Sequence, residues 1–466
     1  MEYPGTKFRR PIRLALLIIF IVAFFIISPA IIMYTAGYRY DWHNGLLKET
    51  GSINIDIEPK NAEAYLNNIK LQEKLPIRLN NIVPAKYNLR ITLPGYFDWI
   101  KEIEVKNKQT NYIKEISLLK KNKPQSLIDS KINNFALSYD GSFILYTIQK
   151  NNNTEVWLWN NISGENQLIS NIENSKRIEI AWAEENNYAL IYEKVLPARA
   201  QDYGKDLSYS KFILFNPADP LKQTDIAKNN APIKKFHWSN SSEPKLYYST
   251  RENIYLYSPI TDKSQIITKN IYTDWYMESD QLWTVQPNPS KKQYIIVRDT
   301  LGFNSTFNTL DSTDLDSENN NIDQIENNLQ ILAARENTLL LKTSKNSKML
   351  LVTENSKHKV PAEKFVISKY NNWWLMWSQW ELWTYSQNEE PYLLNRSGEQ
   401  LQQAMPLDEH NTLGLVWADK STALFPYYSV SHDIINERII TSAADTQNKI
   451  IYFINKNKNG IWKLNY

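Results

Sequence analysis

The chain contains no cysteine in 466 residues. That excludes a disulfide framework, thiolate metal sites, a lipidated cysteine anchor and cysteine nucleophiles. Histidine is scarce: His43, His237, His358, His410 and His432 are the only five, too scattered to spell zinc or triad chemistry. Charge of one sign is not in excess either. Lys+Arg 53 against Asp+Glu 50 leaves +3, too balanced for a dedicated nucleic-acid binder. A Gly-x-Ser-x-Gly elbow, a His-Glu-x-x-His helix and a glycine-rich phosphate loop are all missing. No catalytic, cofactor or metal residue can therefore be named, and a non-enzyme is expected. What is abundant is aromatic: 15 Trp and 28 Tyr favour many short strands and an all-β protein.

Residues 1–13 carry Lys7, Arg9, Arg10 and Arg13 against Glu2, and from Leu14 to Tyr34 no charged residue occurs. As a helix, those 21 or so residues span roughly 31 Å, the thickness of a hydrocarbon core. The basic flank predicts a cytoplasmic tail (1–13), a transmembrane helix (14–34) in the lipid bilayer and an extracytoplasmic remainder. The rival is a cleaved signal peptide, with Leu14 to Ile27 as its apolar region and Ser28-Pro29-Ala30 as the cut. Ile31-Ile32-Met33-Tyr34 extends the apolar run past that point, and proline beside the cut is a poor substrate, which favours the retained anchor. Either way the chain is expected to be exported.

Residues 51–119 read as short strands between turns. Ile53, Ile55 and Ile57 alternate before Pro59; Tyr87, Leu89, Ile91 and Leu93 alternate before Pro94-Gly95; Ile103 and Val105, then Ile116 and Leu118, keep the period of two. Asn67-Asn68 suits a tight hairpin because Asn tolerates left-handed backbone. About 70 residues bury only a modest core, so a small sandwich is expected. Ile57-Glu58-Pro59, Ala62, Tyr65-Leu66-Asn67-Asn68, Leu75-Pro76, Pro84-Ala85-Lys86-Tyr87 and Gly95-Tyr96 resemble the PEGA domain. The resemblance implies a small extracytoplasmic β module of prokaryotic envelope proteins, without catalytic residues. Asn68 and Ala85 stand where that family usually has glycine.

Residues 120–124, Lys-Lys-Asn-Lys-Pro, read as a linker. Beyond them the chain repeats. Phe135-Ala136-Leu137 before Phe143 to Tyr146, Ile180-Ala181-Trp182 before Tyr188 to Tyr192, Phe236-His237-Trp238 before Lys245 to Tyr248, and Thr273-Asp274-Trp275 before Gln281 to Thr284 share a strand, a polar turn and a second strand. A third strand follows each: Val156 to Trp159, Phe212 to Phe215, Ile254 to Tyr257 and Tyr294 to Val297; Leu339 to Leu341, Leu382 to Tyr385 and Ile461 to Leu464 continue the series. At about 43 residues per unit, 125–466 holds about eight units, and about 40 to 45 residues make a propeller blade. The expected fold is a β-propeller, eight blades preferred over seven. The last unit offers only three strands, so Gln125 to Asp129 is expected to complete it and close the ring. Ser138-x-Asp140-Gly141 and Trp238-Ser239 resemble TolB-like and WD-repeat-like propellers.

Trp373, Trp374, Trp377, Trp380 and Trp383 form the richest aromatic run. Exposed, they would make a binding surface for sugars or a partner's side chains; in a hairpin turning near Ser378-Gln379, they would pack between blades, the reading preferred here. Asp311, Asp314, Asp316, Glu318 and Asp323 lie in an Asn-rich stretch, where a cation loop competes with a solvated insertion. The EF-hand pattern fails at Asn319 and Ile325. Val195 to Ser210 is a second insertion of the kind that carries function on such scaffolds. His410 beside Asp408-Glu409, and His432 beside Asp433, read as solvated surface.

These features lead to one expectation: a non-catalytic, single-pass envelope protein whose propeller binds an envelope protein or a cell-surface glycan, with no nucleic-acid partner. A carboxylate-based glycan hydrolase or lyase, and a TolB-like envelope-assembly component, are the alternatives.

Overall fold

The computed structural model describes residues 10–35, 38–41, 46–173, 178–195, 208–229, 232–291, 293–300, 302–311, 314, 329–343, 348–370, 372–387 and 389–466. Arg10–Thr35 is one helix, α1, with Pro29 inside it. Leu14–Thr35 is long and apolar enough to cross a membrane, and none of it is buried against protein. A helix satisfies its backbone polar groups internally, as a membrane-crossing segment must.

The chain divides into two units, residues 1–121 with 427–430, and residues 122–426 with 431–466. In the first, Gly51–Glu58 lies between Ile77–Ile82 and Thr110–Ser117, antiparallel to the former and parallel to the latter. A second sheet runs Ile69–Lys70, Glu63–Leu66, Ala85–Thr92, Trp99–Val105. The alternation read from sequence is the burial pattern. Ile53, Ile55 and Ile57 are buried with Leu89, Ile91, Trp99 and Ile103 of the other sheet, which gives the small sandwich its core. Asn67 and Asn68 both take left-handed backbone (φ 49° and 65°) in the hairpin between Glu63–Leu66 and Ile69–Lys70. Ala85 instead opens the strand Ala85–Thr92, so it meets none of the penalty that a left-handed turn would impose.

From residue 125 onward, the described residues form eight four-stranded antiparallel sheets. Seven of them take their strands in consecutive chain order. The eighth runs Ile439–Asp445, Ile450–Asn455, Ile461–Asn465 and then Gln125–Ile128, so the first strand of the unit is the outer strand of its last sheet. Leu339 to Leu341 falls in the second strand of its sheet, Thr338–Thr343, one place earlier than the repeat pattern assigned it.

Apolar side chains fill the seams between consecutive sheets. Leu145 and Val156 of the first meet Ile191 and Phe215 of the second; Leu190 and Phe212 meet Trp238 and Tyr248 of the third; Tyr247 and Ile254 meet Trp275 and Leu282 of the fourth. Ile128 and Ile461 of the eighth meet Phe135 and Tyr146 of the first, which brings the series back to its start. Three pairs of neighbouring inner strands are also linked by polar bonds. The Trp182 indole donates to the Ala136 carbonyl at 3.0 Å, the Trp238 indole to Ala181 at 3.4 Å, and Gln403 exchanges bonds with Ser442. This ring of sheets is a β-propeller, and its inner strands surround a central channel.

Candidate functional site

The inner strands all run the same way along the channel, so the turns that follow them gather at one end. There the backbone leaves the sheet, and each of the first six repeats contributes polar residues. Tyr139 follows Asn134–Leu137; Glu184 and Glu185 follow Ile178–Trp182; Asn240 follows Lys235–Trp238; Glu278 ends Asp274–Glu278 and Ser279 follows it. Arg335 and Glu336 end Leu329–Arg335, and Lys369 follows Lys364–Ile367. Together with His237, Tyr276 and Phe365 they line a cavity of about 710 Å³. Its charged lining is four carboxylates (Glu184, Glu185, Glu278, Glu336) against two cations, Arg335 and Lys369.

A polar chain crosses this mouth. Arg335 lies 3.6 Å from Glu184 and donates to Asn372 Oδ1 at 3.2 Å; Asn372 donates in turn to Glu336. The Glu336 amide donates to Glu278 Oε1 at 3.0 Å. Four sheets are thus tied through Arg335, Asn372 and the Glu336 amide. Glu184 keeps 47% of its side-chain surface open to the channel, yet protein surrounds it on most sides. Burial raises its carboxyl above the usual range, Arg335 opposes, and Glu185 and Glu278 add to the rise. Burial also raises Glu278, against the Glu336 amide and Arg335. Two carboxylates are thus raised in one cavity, chiefly by burial and only partly offset by Arg335.

Deeper in, the His237 and Tyr276 rings lie 4.0 Å apart between centroids. Burial, then the charge of Lys235, pushes His237 down to about 3, so this imidazole is neutral at physiological pH. Lys235 itself bonds Asp274 at 2.7 Å and the Ile331 carbonyl at 3.0 Å. Asp274 accepts the Ile331 amide at 2.7 Å as well. At the rim, Lys369 sits 5.1 Å from the Tyr139 ring centre and 5.4 Å from that of Tyr370. Its burial lowers it, against the charges of Asp445 and Asp140. The other end of the channel is less acidic: Lys342, Lys364, Glu363, Trp377 and several glutamines line a cavity of about 910 Å³.

The tryptophan run does not form a surface. Trp374–Trp377 pairs with Glu381–Tyr385, and Trp373, Trp374 and Trp377 are buried. Trp374 fills the seam with the fifth sheet and Trp377 the seam with the seventh. Trp383 is half-buried and donates to Glu381 at 3.0 Å. Trp380 alone, at the turn, is exposed (46%). The physical reason is the pleat: both faces of a propeller blade meet a neighbour, so successive indoles on one strand are both covered.

Asp311 and Asp314 cap each other's backbone amides, and Asp314 is paired with Lys357 at 2.6 Å. Asp316, Glu318 and Asp323 lie outside the described residues, as does most of the 195–210 insertion. Among the described residues no group of three or more His, Asp or Glu side chains is placed to hold a metal. The His410 amide donates to Asp408 at 2.9 Å, and Asp433 accepts from Thr422 at 3.0 Å.

The mouth residues were not picked out by sequence reasoning. The signal was present: at the end of the inner strand or just after it, the repeat holds an acid at Asp140, Glu184, Glu278, Glu336, Asp408 and Asp445. It was hidden because each reads locally as a turn.

Residues 50–119 match the family model of the PEGA domain. Among solved structures, the chain is similar to the β-propeller domain of Myceliophteria thermophila Cps50 (Swd1), at 9% identity over 73% of this chain and 100% of that one, with a TM-score of 0.41. It is also similar to the N-terminal domain of Nup159, at 9% identity over 74% and 92%, with a TM-score of 0.36. A structure from an analysis of two prolyl endopeptidases matches at 10% identity over 81% and 54%, with a TM-score of 0.38. No curated protein matches the sequence. The chain thus joins an N-terminal apolar helix, a PEGA domain and a β-propeller.

Proposed function

We propose that this protein is a single-pass component of a prokaryotic cell envelope, anchored by α1 with its N-terminus in the cytoplasm, whose propeller binds a protein partner on the far side of the membrane. In this reading the PEGA domain is a spacer. The observation that carries it is the acid-rich mouth, where Glu184 and Glu278 are raised together in one cavity. A cationic segment entering that cavity would add counter-charge, and a ring of rigid turns receives it at little ordering cost. Confinement to a surface adds effective concentration.

The test is capture of envelope proteins on the full-length protein in detergent, compared with the Glu184→Gln/Glu278→Gln variant. Recovery of a partner by the wild type, falling several-fold in the variant and with added salt, supports the reading. Equal recovery by both overturns it. The same raised carboxylates favour one second reading, an acid-assisted glycan hydrolase, because a protonated carboxyl is what such a reaction requires. Release of reducing ends from cell-surface glycan, abolished in the same variant, would replace binding with catalysis.

A further inference from the structure

A third cavity lies within the first unit, where α1 ends. An open cleft of about 480 Å³ is bounded by Tyr34 and Thr35 of the helix, by Asn80, and by Lys108, Gln109 and Thr110 of the PEGA domain. Among the described residues no carboxylate lines it. Sequence and backbone build this cleft. Lys108 takes left-handed backbone (φ 58°) in the turn joining Trp99–Val105 to Thr110–Ser117, and its amide donates to the Thr50 carbonyl at 3.0 Å. That turn packs against Gly51 so closely that a Cβ there would stand 2.5 Å from the Lys106 carbonyl oxygen. Any other residue at 51 would push the turn, and Lys108 with it, away from the cleft.

The donors in the cleft are unevenly used. The Lys108 ammonium has three protons. One meets Glu49 at 3.0 Å and one the Tyr38 hydroxyl at 3.1 Å, which orient the group and leave a third. Among the described residues the side-chain amides of Asn80 and Gln109 take no partner. At the helix end, the Thr35 hydroxyl donates to the Ile31 and Ile32 carbonyls, both at 3.0 Å. That covers two of the carbonyl oxygens that give a helix C-terminus its negative end.

Depth then selects the ligand. From Leu14 to Thr35 a helix runs about 33 Å, against a hydrocarbon core of about 30 Å. With the apolar stretch centred in lipid, Tyr34 and Thr35 stand in the headgroup layer, the level where tyrosine rings and lysine ammoniums are favoured. The abundant anion at that level is a phosphodiester. We infer that this cleft binds the phosphate-bearing headgroup of a bilayer lipid, through the Lys108 ammonium and the Asn80 and Gln109 amides. The inference rests on the reading of α1 as a membrane span. Holding a headgroup at the root of the PEGA domain would fix how the domain stands on the bilayer, which a bare helix cannot do.

Short-chain phosphatidylglycerol titrated into the full-length protein in non-ionic detergent, read by native mass spectrometry, tests it. Lys108→Asn keeps a residue that tolerates left-handed backbone and should weaken binding roughly tenfold, the worth of one charge-assisted hydrogen bond. Lys108→Arg should retain it, and Lys101→Asn, a surface change on a neighbouring strand, should leave it unaltered. Equal binding of phosphate-free diacylglycerol, or no loss in Lys108→Asn at an unchanged melting temperature, overturns the inference. Equal affinity for inorganic phosphate overturns the lipid assignment. Membrane retention is scored separately by carbonate extraction of cell membranes. A protein that extracts as soluble defeats the span reading, whatever the titration in detergent shows.

Discussion

Gly141 lies so near Asp445 that a Cβ on it would stand 2.2 Å from the Asp445 Oδ2. The glycine belongs to the first turn of the first sheet, and the aspartate ends the inner strand of the last. Their approach marks the seam where the ring closes. Around it, Asp140 accepts from Ser138 at 2.8 Å and from Asn187 of the second sheet at 2.7 Å. Burial alone would raise the Asp140 carboxyl, but these bonds and the Ser142 amide outweigh it and hold it below the usual range. Asp445 is itself fixed by the Gln447 and Asn448 amides. The Ser-x-Asp-Gly turn is therefore the joint through which the first sheet grips both of its neighbours.

Closure should be sensitive to a single methyl group. Gly141, Gly164 and Gly460 all take left-handed backbone (φ 74°, 73° and 93°), so alanine costs each about 1–2 kcal/mol. At Gly164 nothing lies within 4 Å of the added carbon; at Gly460 the Ile128 carbonyl oxygen, in the closing strand, lies at 1.8 Å. Denaturant midpoints should fall in the order Gly460→Ala most, Gly141→Ala next and Gly164→Ala least. Backbone cannot yield as the Asp445 side chain can. Equal midpoints for Gly460→Ala and Gly164→Ala would mean that the outer strand Gln125–Ile128 does not hold the ring.

The tryptophan run separates into core and surface by mutation. Trp374→Ala removes a buried indole from the fifth-to-sixth seam and should cost about 3–5 kcal/mol. Trp380→Ala removes an exposed one and should change stability by less than about 0.5 kcal/mol. Urea unfolding followed by circular dichroism measures both. A large cost at Trp380 would place its ring in packing that the turn does not display.

His237 predicts an acid sensitivity of known sign. Its folded value of about 3 lies below the ordinary 6.5, so as pH falls through 6.5 the unfolded chain takes up a proton that the folded one refuses. Stability drops over that window. Glu184 and Glu278 are shifted upward; the folded state takes their protons first, and their contribution grows with acidity instead. The decisive comparison is between wild type and His237→Gln. Melting temperature measured from pH 7.5 down to pH 5 should fall less steeply in the variant. Parallel curves would show that His237 is as readily protonated folded as unfolded.

Much of the architecture was legible residue by residue. Ile53, Ile55 and Ile57 alternate in sequence and are buried in the sandwich, and the Asn67-Asn68 pair sits at its hairpin with the backbone expected of it. The orphan segment at Gln125 pairs with the last strand, as the three-stranded final repeat required. The mouth was illegible for a different reason. Glu184 and Arg335 are about 150 positions apart, and each is an ordinary turn residue beside its own strand. The five tryptophans, read from sequence as packing between blades, divide into three core residues, one half-buried ring and one exposed ring.

The amino-acid pattern alone determined the apolar rod, the period of two within each strand and the period of about 43 between repeats, because hydrophobic spacing and turn chemistry act over a few residues. Only the tertiary structure decided which turns meet at the channel end, which faces of a blade are covered, and which carboxylates share a cavity. Those depend on ring closure, which brings distant repeats to within a hydrogen bond of each other, and on the burial that this closure creates.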